Sequence, residues 1–124
     1  MIGKRVLIVD DEPGIVVSLE FLMEQEGFTV TVARDGRAAV ESVRRHAPDL
    51  ILLDVMLPHL SGYDVCREVR ADPAARSAKI IMLTARGREA EIEHGLEVGA
   101  DAWLTKPFAT RDLLAQVRRL VAAP

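Results

Sequence analysis

Four apolar runs in this sequence end on side chains that can do chemistry. Val6-Leu7-Ile8-Val9 leads into Asp10, Asp11 and Glu12; Leu50 to Leu53 into Asp54; Ile80 to Leu83 into Thr84; and Ala102 to Leu104 into Thr105 and Lys106. Adjacent carboxylates raise each other's pKa unless a cation neutralises them. Hard carboxylate oxygens with a phosphate nearby suit Mg²⁺, which takes one or two protein carboxylates and keeps several waters. An ionised aspartate is also a nucleophile toward phosphorus. Phosphoryl transfer asks little more of a protein than in-line positioning and charge neutralisation, which a metal ion and a lysine can supply. Each residue alone has an ordinary role: an Asp or Thr after a strand caps the next helix or shapes a turn, Lys106 is a solvated charge, and Glu12 favours the positive end of a helix. Their coincidence at the same ends of successive apolar runs is what favours the chemical reading.

The elements that must position these residues are legible from periodicity. Short runs rich in Val, Ile and Leu, at Arg5 to Val9, Phe28 to Val32, Leu50 to Leu53, Ile80 to Leu83 and Ala102 to Leu104, alternate with longer segments of helical spacing. Three runs are continuous rather than alternating, which suits strands buried on both faces of a parallel sheet. Between them apolar residues recur every three or four positions, as at Ile15, Leu19, Leu22 and Met23, at Ala39, Val40 and Val43, at Val65, Cys66 and Val69, at Ile92 and Leu96, and at Leu113, Leu114, Val117, Leu120 and Val121. Each segment would bury one stripe. Pro13 suits a first helical turn, Asp35-Gly36 a turn into the second helix, and Ser61 to Asp64 a capping box opening the third. Thr110 is expected to cap the last helix, with Asp112 near its positive end. Five strands alternating with five helices imply an α/β fold with an open parallel sheet covered on both faces. The carboxyl ends of its strands share one edge, where such folds bind ligands.

Composition sets the outer limits. The 124 residues are 49% hydrophobic and 28% charged with a net charge of −3, so one folded domain over residues 1–124 is expected and a nucleic-acid-binding surface is not. The pairs Arg44-Arg45 and Arg118-Arg119 read as solvated helix faces. Cys66 is the single cysteine and has no intrachain disulfide partner; on an apolar stripe it reads as a core residue. No signal-peptide pattern and no apolar run of about 20 residues occur, so no membrane association and a cytoplasmic location are expected.

The combination Val9-Asp10-Asp11-Glu12, Leu53-Asp54-Val55-Met56-Leu57-Pro58, Leu83-Thr84-Ala85 and Lys106-Pro107-Phe108 resembles the receiver domain of two-component response regulators, in order and spacing, over essentially the whole chain. The resemblance implies a flavodoxin-like (βα)5 three-layer sandwich with a five-stranded parallel sheet of order 2-1-3-4-5. That order sets the strands leading to Asp11 and Asp54 side by side. It implies that Asp54 is the phosphoacceptor, taking a phosphoryl group from the phosphohistidine of a sensor histidine kinase or phosphotransfer protein. Asp11 would bind Mg²⁺ directly and Asp10 through water, with Asp54 and the Met56 carbonyl completing the protein's share. Lys106 would pair with Asp54 and then with a phosphoryl oxygen, Thr84 would donate its hydroxyl to the phosphoryl group, and small Ala85 would leave that pocket open. Met56 and Arg86 would govern water's approach, and Lys106-Pro107 would be a cis bond. Thr84 and Trp103 would form the switch, although an indole is larger than the ring usual at that position and could instead stay against the partner face. His46, His59 and His94 lie outside the motifs and are not expected to carry phosphate.

Three functions follow as alternatives. The leading one is a phosphorylation-controlled signalling domain, not an enzyme beyond self-catalysed phosphoryl uptake and autodephosphorylation. Its fourth helix, fifth strand and fifth helix would control a downstream protein, a C-terminal output domain or a homodimer, with Asp101, Asp112, Ala115, Val117 and Arg118 partly matching the pattern of dimerising regulators. A Mg²⁺-dependent phosphohydrolase with an aspartyl nucleophile is the second, and Met56 stands where its second acid belongs. A flavodoxin-like electron carrier is the third; its phosphate would be repelled by Asp10, Asp11 and Glu12.

Overall fold

The computed structural model describes residues 3–85 and 98–121. The elements among these residues are β1 (Arg5–Val9), α1 (Pro13–Gln25), β2 (Thr29–Ala33), α2 (Gly36–His46), β3 (Leu50–Asp54), α3 (Gly62–Ala71), β4 (Lys79–Ala85), β5 (Ala102–Lys106) and the C-terminal helix, here α4 (Thr110–Val121). The helix expected around Ile92 and Leu96 lies outside the described residues, as do Arg86 and His94. All five strands pair in parallel in the order β2-β1-β3-β4-β5, the expected flavodoxin-like arrangement.

Alternation along the strands divides the interior into two cores. Leu7, Val9, Ile51, Leu53, Ile80 and Met82 face α2 and α3, where they meet Ala39, Val43, Val65, Cys66 and Val69. Their neighbours Val6, Ile8, Leu50, Leu52, Ile81 and Leu83 face α1 and α4, where they meet Leu19, Met23, Leu113 and Val117. Both faces of the central strands are therefore apolar, which is why their runs are continuous. Each fully buried Leu or Ile contributes about 1.5–3 kcal/mol relative to an exposed one, so a one-residue slip of register would be costly.

Most local signals hold. Pro13 opens α1, Asp35 Oδ1 accepts from Ala38 N at 2.8 Å to cap α2, and Ser61 and Asp64 form a reciprocal capping box on α3. Thr110 is the exception: it is the first residue of α4 rather than its cap. Asp112 N and Leu113 N both donate to Ala109 O, at 3.0 and 3.2 Å, so the first turn closes on Ala109. Strand limits also shift. Phe28 belongs to the turn before β2, because its N–H donates to Met23 O at 3.1 Å and closes the end of α1. β3 reaches Asp54, β4 reaches Ala85 and β5 reaches Lys106, one or two residues past their apolar runs. Backbone pairing is indifferent to side-chain polarity; Val55 N still donates to Leu83 O at 3.1 Å beyond Asp54.

Candidate functional site

The carboxyl ends of β1, β3, β4 and β5 bring the reactive side chains to one rim. Asp10 directly follows β1, and its N–H donates to Ala33 O at 3.2 Å, which holds it in the line of the sheet. Its side chain is fully buried. Asp10 Oδ1 accepts from Glu12 N at 2.9 Å, and Oδ2 accepts from Lys106 Nζ at 2.8 Å. Lys106 Nζ also donates to Glu12 Oε1 at 3.3 Å and lies 3.5 Å from Asp54 Oδ2. Asp54 ends β3, is only 5% exposed, and accepts from Met56 N on Oδ1 at 3.2 Å. Thr84 is buried on β4 opposite Thr105, and Ala85 is exposed opposite Lys106.

The backbone around Asp54 is closely covered. Gly62, the first residue of α3, approaches so near that a Cβ there would collide with the Asp54 carbonyl oxygen. Its N–H donates to Val55 O at 2.9 Å. Only glycine allows this approach, which fixes the end of β3 against the start of α3.

Charge and burial set the chemistry. Burial pushes the Asp54 carboxyl up to about 6; the Lys106 ammonium opposes that rise, the Asp10 charge adds to it, and the Met56 N–H opposes it. Burial works to lower the pKa of Lys106, but the Asp10 hydrogen bond and the charges of Asp54, Asp10 and Glu12 more than offset it and hold the pKa above its usual value. One carboxylate oxygen each from Asp10, Glu12 and Asp54 lie within 4.8 Å of one another. A set of hard oxygens this close fits a Mg²⁺ site.

The rim therefore gathers Asp10, Asp54 and Lys106, with Thr84 and Ala85 on the adjoining strand end. Asp11 differs: it is exposed and is not one of the three acids that converge. Glu12, expected only to begin α1, has its carboxylate among the three. Its backbone is extended, at φ −87 and ψ 112, and its side chain makes no cap hydrogen bond. The chain bends at Asp11, with Glu12 N donating to Asp10 Oδ1 at 2.9 Å, and the Glu12 carboxylate reaches back to Lys106 Nζ at 3.3 Å. No pattern in the sequence separates Glu12 from an ordinary acid before Pro13.

The remaining candidates fall elsewhere. Met56 is 57% exposed, and the bond Lys106-Pro107 is cis. Trp103 is half-buried against the α2–α3 core, and its Nε1 is buried with no hydrogen-bond partner. Cys66 is buried, its Sγ–H donates to Val98 O at 3.3 Å, and burial pushes its thiol up to about 11, so it is an inert core residue. His46 and His59 are exposed; His59 Nδ1 lies 3.9 Å from Asp35 Oδ1. On the face assigned to output, Val117 is core, Asp101 Oδ2 accepts from Arg70 Nη2 at 2.7 Å, and Arg118 Nη2 donates to Glu26 Oε1 of α1 at 2.6 Å. Asp112 and Ala115 are exposed.

An α/β sandwich of this strand order, with acids and a lysine gathered on the carboxyl rim, defines a receiver-type domain. Residues 6–118 match the response regulator receiver domain family, and the chain belongs to that family. Among solved structures it is similar to the receiver domain of the sensor histidine kinase PA1611 from Pseudomonas aeruginosa PAO1, with 36% identity, a TM-score of 0.88, and coverage of 98% of this chain and 99% of that one. That structure has a magnesium ion coordinated in its active-site cleft. The signal receiver domain of a histidine kinase from Syntrophus aciditrophicus is 34% identical, with a TM-score of 0.89 over 97% of this chain and 91% of that one. The chemotaxis protein CheY4 of Vibrio cholerae is 31% identical, with a TM-score of 0.88 over 95% and 98%. Receiver domains are signalling domains of two-component systems. No helix among the described residues is long and apolar enough to cross a membrane.

Proposed function

We propose that this receiver domain accepts a phosphoryl group on Asp54 from a sensor histidine kinase or phosphotransfer protein, in a Mg²⁺-dependent reaction in the cytoplasm. The observation that carries this reading is the buried Asp54 carboxylate at the end of β3, 3.5 Å from a lysine ammonium and beside two further acids. Asp54, Asp10, Asp11 and the Met56 carbonyl would hold the ion. When bound, it would neutralise charge on the carboxylates and on the incoming phosphoryl group.

The chain's own residues supply the rest. Asp54 attacks phosphorus as an ionised carboxylate and has no proton to lose, so no general base is required. The phosphorus–oxygen or phosphorus–nitrogen bond to the donor breaks as the bond to Asp54 Oδ forms. Lys106 contributes a positive charge to the phosphoryl oxygens, and the Thr84 hydroxyl and the open surface at Ala85 receive them. Movement of Thr84 and Trp103 would carry the signal to a downstream protein, an output domain or a second copy of the chain, through the face that includes β5 and α4. Met56, two residues past Asp54, offers an exposed thioether and no carboxyl to protonate a leaving group. Turnover on external phosphate esters is accordingly not part of the reading.

Incubation with Mg²⁺ and acetyl phosphate, followed by intact mass measurement, tests the reading. The wild type is expected to gain one acid-labile phosphoryl group, and Asp54→Ala or omission of Mg²⁺ is expected to abolish the gain. A wild type that gains nothing would sink the assignment.

A further inference from the structure

Glu12 has no place in the reaction as described, yet its side chain is committed to the site. It stands at the start of α1 without making a cap hydrogen bond, and its carboxylate reaches Lys106 Nζ at 3.3 Å. The ammonium hydrogen-bonds Asp10 at 2.8 Å and Glu12 at 3.3 Å, while Asp54, at 3.5 Å, is the most distant of its three carboxylates. Asp10 is fully buried and fixed by Glu12 N, so it cannot follow the lysine; Glu12 is a long side chain, 61% exposed, at the open side of the rim.

We propose that Glu12 is a positioning residue that restrains phosphoryl uptake, by holding the Lys106 ammonium on the Asp10 side of the rim and away from Asp54. The inference rests on the proposed phosphoryl chemistry and names a regulator of that same site. Lys106 is useful when it moves toward the oxygens that gain charge during transfer. Every carboxylate that binds it elsewhere in the resting protein opposes that movement. Asp10 cannot be spared, because its buried charge needs a counter-ion. Glu12 can: it is exposed, so its own charge is solvated, and its loss leaves no uncompensated buried group. The chain thereby carries a removable brake on its lysine.

The experiment has two arms, using Glu12→Gln, which keeps the shape and removes the charge. In the first, the protein is held in chelator without any phosphodonor, and the carboxyl ¹³Cγ resonance of Asp54 is followed by NMR. Glu12→Gln is expected to shift it, because Lys106 closes on Asp54, and a Lys106→Met background is expected to erase the difference that Glu12→Gln makes. In the second, the initial rate of uptake from acetyl phosphate is measured at saturating Mg²⁺. A rise of threefold or more is expected for Glu12→Gln, a rate near wild type for Glu12→Asp, and no effect of Glu12→Gln in a Lys106→Met background. An unchanged Asp54 resonance, an unchanged or slower rate, or an equal acceleration without Lys106 overturns the proposal; the last would mean simple repulsion of an anionic donor. If the wild type takes up no phosphoryl group, the phosphoacceptor reading fails while the resonance arm still decides whether Glu12 restrains Lys106.

Discussion

Asp54 meets two opposed demands, since a nucleophile must be ionised and a buried group resists ionisation. In the unfolded chain its carboxyl titrates near 3.8, and in the folded protein near 6. Below the first value both states are protonated and folding is unaffected. Between the two the unfolded chain ionises first, so stability falls, and above the second the penalty is complete. Replacing the carboxylate removes that penalty. Asp54→Asn should therefore stabilise the metal-free protein by about 1–3 kcal/mol at pH 8 and by about a third of that near pH 4.5. Urea unfolding in chelator at both values checks this, and equal gains at the two pH values would contradict it. Most of the site's residues are legible in sequence, because Asp54, Thr84 and Lys106 stand at the ends of recognisable apolar runs. Glu12 is less so, since an acid before Pro13 is as good a helix starter as a site residue. Its reach to Lys106 depends on a bend at Asp11 that no residue pattern announces.

Helix α3 shows what an element does beyond presenting a stripe. Arg70 Nε donates to Gly99 O at 2.8 Å, Nη1 to Arg76 O at 2.8 Å and Ala78 O at 2.6 Å, and Nη2 to Asp101 Oδ2 at 2.7 Å. Asp101 Oδ2 also accepts from Ile80 N at 2.8 Å. One guanidinium thus ties the end of α3 to the start of β4 and to the turn that feeds β5. Arg70→Ala should cost about 2–4 kcal/mol, because it strands a partly buried carboxylate and several carbonyls. Arg70→Lys should recover little, as one ammonium cannot fork to all these acceptors. Denaturant midpoints of the two variants measure both effects. Nothing in the sequence announces this clamp: its partners are up to 31 positions away, and most are main-chain carbonyls without a residue signature. The capping box on α3 was legible for the opposite reason, since Ser61 and Asp64 are local and specific to type.

The whole molecule is a sheet shared by two cores, and neither core can persist if the strands separate. Unfolding should be a single transition, with near-coincident midpoints by helical circular dichroism and by fluorescence of Trp103, the sole tryptophan, which packs on the α2–α3 side alone. Midpoints that differ by more than experimental error would indicate two separately stable faces. The fold class was legible because continuous apolar runs admit few arrangements other than a doubly covered parallel sheet. The strand order was not, since periodicity is silent about which strands are neighbours; it came from family resemblance. The bond between Asp10 and Lys106 joins positions 96 residues apart, with the acid fully enclosed. During synthesis, Asp10 leaves the ribosome long before its counter-ion does. A nascent chain that closed around β1 early would bury that carboxylate without its partner, so the N-terminal half is expected to stay open to water until β5 emerges. The residue that balances the site's charge would then also be the one whose arrival favours closure of the domain.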